Sequence, residues 1–170
     1  MNKTNYSTRD IVLIAMYGSL FMAVEYIQNA LNLFKMPNGG SLGLSSIILL
    51  LASYQMGYKK GLVVSLISVP LQFLTGQMYL EGGFLGFFLD YVFAFGIYGI
   101  ASIFPSSKYI YSGVIFTNLV RFVSHTLAGT LVWGLPLGPS AIYNGPYMLA
   151  TAVVGFIFVP LINERLKKQV

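Results

Sequence analysis

Few side chains in this sequence can do chemistry, and their spacing is informative. His125 is the one histidine, Glu25 and Asp90 are acids inside apolar stretches, and Arg121 stands one helical turn before His125. Arg121, His125, Gly129 and Trp133 recur every four residues, which places them on one slowly drifting helical stripe. Gly129 leaves room for something to approach the backbone between an imidazole and an indole. Asn144, Tyr147 and Thr151 share a second helical face, and Tyr79, Tyr91 and Tyr143 add aromatic surface. Two carboxylates among aromatic rings suit a small, cationic, aromatic ligand: the acid offsets the charge and π-faces attract a cation.

The same inventory excludes other chemistry. With no cysteine and a single histidine, thiolate catalysis, disulfides and His-rich or thiolate metal sites are ruled out. No G-x-x-x-x-G-K-[ST] stretch is present, so the chain has no P-loop for ATP, and H-E-x-x-H and G-x-S-x-G are absent. An intramembrane hydrolase needs a nucleophile and base or a metal set, and only His125 is available as a base. The expectation is a binding or transport protein with no catalytic residues, no metal and no cofactor of its own.

Those residues must be held by elements suited to lipid. Of 170 residues 56% are hydrophobic and 9% charged, against about 25% charged in a soluble domain. A chain of this length cannot hide so much apolar surface from water. An all-α membrane domain follows, since the apolar runs are continuous rather than alternating as in a β-barrel. Crossing the hydrocarbon takes about 20 residues. Six spans are expected, at approximately 11–33, 42–56, 61–76, 84–104, 109–134 and 140–163, forming one domain over 1–170.

Eight of the ten basic residues (Lys3, Arg9, Lys59, Lys60, Lys108, Arg165, Lys167 and Lys168) then fall on one side, and only Lys35 on the other. The positive-inside rule puts both termini in the cytoplasm, and the net charge of +5 reports orientation rather than a nucleic-acid partner. In this frame Glu25, Gln72, Thr75, Asp90, His125 and Asn144 all lie in the outer third of the bilayer. The cytoplasmic two-thirds is expected to hold small and aliphatic residues, which argues against a solitary secondary transporter. Polar groups at such depth are costly and therefore functional candidates. Arg121 reads as a structural partner for Asp90, Glu25 or helix carbonyls. In span one, Ala15, Ser19 and Ala23 form a small-residue stripe that allows close helix approach, inside the bundle or with a partner.

Several of these stretches carry a resemblance. Met36-Pro37-Asn38-Gly39-Gly40-Ser41, Thr75-Gly76-Gln77-Met78-Tyr79, Leu89-Asp90-Tyr91, the run from Arg121 to Gly129 with Trp133, and Tyr143-Asn144-Gly145 occur in order. Together they resemble the thiamine-specific substrate-binding (S) component of energy-coupling factor (ECF) transporters. The resemblance implies a six-helix subunit of the bacterial plasma membrane that captures its vitamin from outside with high affinity. It implies partners: a transmembrane coupling protein docked on Ala15, Ser19 and Ala23, and two cytosolic ATPases that use the ATP. It also implies thiamine contacts at Asp90, His125, Trp133, Tyr79 and Asn144, with a lid around Gly39 and Gly40. Glu25, Tyr91, Gly129, Tyr143 and Tyr147 complete the candidate pocket. Three departures stand out: the family's acid is Glu where this chain has Asp90, a frequent binding-site Tyr is replaced by Pro139, and the first outer loop lacks a Trp. Pyridoxine or a pyrimidine or thiazole precursor of thiamine is the alternative ligand.

Overall fold

The computed structural model describes residues 6–75 and 78–167. Lys3, Gly76, Gln77 and Lys168, which entered the charge and motif readings, lie outside the described residues. Among the described residues the chain is all-helical, with no named strand and one isolated bridge between Ser106 and Tyr111. The helices are α1 (Thr8–Ala30), α2 (Ser46–Met56), α3 (Tyr58–Leu74), α4 (the continuous stretch Gly83–Ile103), α5 (Ser112–Leu131) and α6 (Leu137–Lys167).

Local chemistry sets several boundaries. Ser7 caps α1 reciprocally with Asp10: the Asp10 N–H donates to Ser7 Oγ (3.2 Å) and the Ser7 N–H to the Asp10 carboxylate (3.1 Å). At its other end α1 stops at Ala30, short of the expected residue 33, because Asn32 and Phe34 take positive φ (49° and 53°) and turn the chain out of the helix. Gly57, at φ 80°, is the single residue between α2 and α3, which tightens that hairpin.

By length and composition α1, α4 and α6 are each apolar enough to cross a bilayer, and α2 is a shorter apolar helix. The exterior is oily in keeping with this: Ile11, Leu66, Phe84, Leu119, Ile142 and Leu149 all point outward. The interior combines an apolar cluster (Phe21, Leu49, Leu50, Val64, Phe95, Val114 and Val159) with buried polar groups. Phe21 meets Phe95 edge-on at 6.3 Å, fastening α1 to α4. Glycines allow the tightest crossings. A Cβ on Gly61 would stand 2.6 Å from Ser53 Cα, and one on Gly99 would stand 2.4 Å from Leu62 Cα, so α2, α3 and α4 touch backbone to backbone there.

One expectation needs correction. Buried polar side chains are not confined to one end of the bundle: Ser53, Ser65, Thr117, Asn118 and Asn163 are buried as well. Several are inexpensive because they bond locally. Thr117 Oγ1 donates to Gly113 O at 2.7 Å, and Ser68 Oγ to Ser65 O at 2.7 Å. Others cross between helices: Asn163 Nδ2 donates to Tyr111 OH and Tyr98 OH to Asn118 Oδ1, both at 2.8 Å. A one-dimensional pattern does not distinguish these buried polar groups from aliphatic filling.

Candidate functional site

The site forms where α4, α5 and α6 meet beneath the loop joining α1 to α2. In α4 the helix widens into a π-helical turn over Phe88–Phe93, and Asp90 sits in it. Such turns arise where the ladder accommodates an extra residue, and they recur at functional sites. Ser124 on α5 holds the turn by donating its hydroxyl to Leu89 O at 2.6 Å. Asp90 Oδ1 then lies 2.6 Å from Nδ1 of His125 on α5. The other imidazole nitrogen, Nε2, accepts from Arg121 Nε at 3.1 Å.

Arg121 is buried, yet no carboxylate lies within ion-pair distance of it among the described residues. Its guanidinium lies over the Phe95 ring at 4.3 Å and donates through Nη1 to Tyr98 OH at 3.2 Å. Tyr98 passes this polarity to Asn118, whose Nδ2 donates to Val114 O at 2.8 Å. The charge is thus held by aromatic faces, a hydroxyl and an imidazole, with the carboxylate of Glu25 in electrostatic reach. Glu25 itself is buried and accepts from Gln28 Nε2 at 3.1 Å, while Gln28 Oε1 accepts the Ser45 N–H at 3.2 Å.

Across from His125, α6 contributes Asn144 and Tyr147. Asn144 Nδ2 donates to Ser140 O at 3.0 Å, with His125 O at 3.4 Å, and Asn144 Oδ1 accepts from Tyr147 OH in a short hydrogen bond. The Tyr147 ring stands edge-on to the imidazole, with centroids 6.3 Å apart. The loop before α2 closes over this ring. Gly40, at φ 89°, comes so near that a Cβ there would lie 2.8 Å from the ring. Tyr143 clamps the same loop, accepting the Asn38 N–H at 2.9 Å and donating to Gly39 O at 3.0 Å. Gly43 is buried against Arg121 and Thr151, and its N–H donates to Thr151 Oγ1 at 2.9 Å. Tyr79 lies against Gly39, and its N–H donates to Tyr91 OH at 2.7 Å.

Residues 15–170 match the family model described as thiamine transporter protein (Thia_YuaJ). The chain belongs to this thiamine transporter family. It is similar to thiamine transporter ThiT of Bacillus subtilis strain 168, with 28% identity over 148 residues covering 75% of this chain and 77% of that protein. Its fold matches a solved structure of ThiT from Listeria monocytogenes with a TM-score of 0.74 at 20% identity, covering 92% of this chain and 96% of the other. Thia_YuaJ is a family of transporters rather than enzymes, and its helices here are those of a multi-pass membrane protein.

Within this family member, the residues singled out from sequence separate into four groups. Asp90, His125, Asn144, Tyr147, Tyr143, Tyr91 and Tyr79 converge beneath or beside the Gly39–Gly40 loop. Glu25 stands behind them, with Gln28 and Ser45 as its neighbours. Gly129 and Trp133 are placed differently from the stripe read in sequence. The approach that Gly129 permits is made by Ser140 of α6, whose Oγ lies 2.1 Å from where a Cβ would be. The α5 helix ends at Leu131, so Trp133 does not continue the helical stripe; it is 46% exposed and borders Gly82. Ala15, Ser19 and Ala23 lie on the exposed face of α1. A separate apolar groove along α3 and α4, lined by Val69, Leu74, Met78, Leu80 and Phe87, has no charged side chain in its wall.

Reading the sequence alone missed Tyr98, Asn118, Ser124, Gln28 and Gly43 as members of this network, whereas Thr151 stood on the face it shares with Asn144 and Tyr147. Ser124 was findable as the neighbour of His125. Tyr98 was hidden because a tyrosine in an aromatic-rich span has no distinguishing pattern.

Proposed function

We propose that this protein is the high-affinity thiamine-binding S component of an ECF-type importer, taking the vitamin from the extracellular side. Asp90 supplies negative charge, His125 and Trp133 flank the thiazolium ring, and Asn144 hydrogen-bonds the polar edge of the pyrimidine. Tyr79, Tyr91, Tyr143, Tyr147 and the Gly39–Gly40 loop enclose it. Both termini face the cytoplasm, and six spans cross the membrane. The exposed Ala15–Ser19–Ala23 face of α1 docks on the transmembrane coupling protein, which works with two cytosolic ATPases.

The observation carrying this reading is the charge arrangement under the loop. Asp90 and Glu25 outnumber Arg121 as ionisable groups of this buried cluster, an excess of acid that suits one fixed positive charge such as that of a thiazolium. Asp90 uses Oδ1 for His125, leaving Oδ2 for a ligand. Membership of a thiamine transporter family supports the choice of vitamin.

Isothermal titration of the purified protein tests the reading. Thiamine binds tightly, and Asp90→Ala weakens it well over tenfold, because a desolvated charge contact contributes about 2 kcal/mol or more. Binding of pyridoxine without thiamine would transfer the assignment to that vitamin. Liposomes holding this chain alone do not accumulate thiamine; accumulation would identify a secondary transporter instead.

A further inference from the structure

Arg121 has a role that neither the family match nor the proposed ligand contacts assign. An arginine Nε–H only donates, so the contact at 3.1 Å makes His125 Nε2 an acceptor. An accepting Nε2 carries a lone pair, so the ring proton resides on Nδ1, where it faces Asp90 Oδ1 at 2.6 Å. A second proton on the imidazole would place a cation against the guanidinium and break the Arg121 contact. We infer that Arg121 is a positioning residue that holds His125 neutral in its Nδ1–H form, so that Asp90 keeps its full negative charge for a cationic ligand.

The surroundings are built for this task. The guanidinium is held a second time by the Phe95 face at 4.3 Å and by Tyr98 OH at 3.2 Å, both on α4. Gly43 leaves room for it, since a Cβ there would sit 3.2 Å from Nη1. The titratable groups around the pair are Asp90, Tyr91 and Tyr98 on α4, Tyr143 and Tyr147 on α6, and Glu25 on α1. Of these, Asp90 is the one hydrogen-bonded to the imidazole. Without Arg121 no donor engages Nε2, and a second proton there would turn the pair into carboxylate and imidazolium, neutralising the acid before a ligand arrives. The consequence for affinity rests on the thiamine-capture reading; the protonation state of His125 does not.

His125 is the chain's one histidine, so protein labelled with 15N-histidine gives a single imidazole whose two nitrogens report protonation directly. In ligand-free, full-length protein near neutral pH, the expected spectrum has Nδ1 protonated and Nε2 unprotonated. Arg121→Met is expected to protonate both nitrogens and to weaken thiamine binding at least tenfold, whereas Arg121→Lys, which keeps a donor and a charge, restores much of the wild-type pattern and affinity. An unchanged spectrum in folded Arg121→Met overturns the inference. Should Arg121→Met not fold, the wild-type spectrum decides: a proton on Nε2 overturns the inference, and Nδ1–H with Arg121→Lys alike sustains it. Absence of thiamine binding by the wild type would sink the vitamin assignment and leave the imidazole result standing.

Discussion

Gly40→Ala is the sharpest single perturbation of the loop over the site. Gly40 has φ 89°, a region where a Cβ costs roughly 1–2 kcal/mol. The added methyl would also stand 2.8 Å from two atoms of the Tyr147 ring. That ring cannot retreat easily, because Tyr147 is 3% exposed and its hydroxyl is engaged by Asn144. Overpacking of this kind adds roughly 1–3 kcal/mol. The closed arrangement is therefore disfavoured by about 2–5 kcal/mol, at least roughly 30-fold in affinity if closure accompanies binding. Two controls separate the components. At Gly39 (φ 90°) a Cβ meets Tyr79 at an ordinary 3.4 Å, so Gly39→Ala carries the backbone cost alone, about 5- to 30-fold. At Gly57 (φ 80°) a Cβ meets nothing within 4 Å, and its hairpin joins α2 to α3, away from this loop, so Gly57→Ala lowers Tm without changing thiamine affinity. Titration calorimetry and thermal unfolding on all three variants provide the readout. Equal affinities for Gly40→Ala and Gly39→Ala would refute the claim that the loop closes on Tyr147.

Further outcomes follow from the same geometry. Ser124→Ala removes the hydroxyl that satisfies Leu89 O in the π-helical turn, a loss of about 1–3 kcal/mol, and should weaken thiamine binding several-fold through Asp90; unaltered affinity would mean the turn holds without it. Tyr98→Phe leaves Arg121 Nη1 and Asn118 Oδ1 without their shared partner and is expected to lower Tm by destabilising the interior about 1–2 kcal/mol, measured by thermal unfolding in detergent. Gly129→Ala drives a methyl to 2.1 Å from Ser140 Oγ and should separate α5 from α6, destabilising the fold by about 1–3 kcal/mol; an unchanged Tm would show that the crossing yields easily. Ala15→Trp or Ala23→Trp, on the exposed face of α1, should leave thiamine titration unaltered and abolish uptake in cells; loss of binding would mean that the face packs within the bundle.

Much was legible from composition and period alone. A charge content of 9% within long, continuous apolar runs dictates helices in lipid, because the backbone must be satisfied internally there and the alternative, a closed barrel, needs alternating residues. The rarity of His125, Asp90 and Asn144 in such runs marked them as candidates, because desolvating a polar group is costly wherever it sits. What those side chains touch was settled only by helices distant in sequence meeting. Asp90 reaches His125 through a π-helical turn pinned by Ser124, 35 residues from the carbonyl it holds, and no local periodicity encodes that. Gly129 looked like space for a ligand and is space for Ser140; a missing side chain states that something comes close without saying what. Trp133 fell on the four-residue stripe only so long as α5 continued, and the helix ends at Leu131. Arg121 shows the division most clearly: its burial cost and its neighbour His125, one turn on, were readable from the sequence, whereas the phenol and phenyl face that also hold it belong to a second helix packed against α5. Intrinsic residue cost is a property of the chain, and the group that offsets it is a property of the packing.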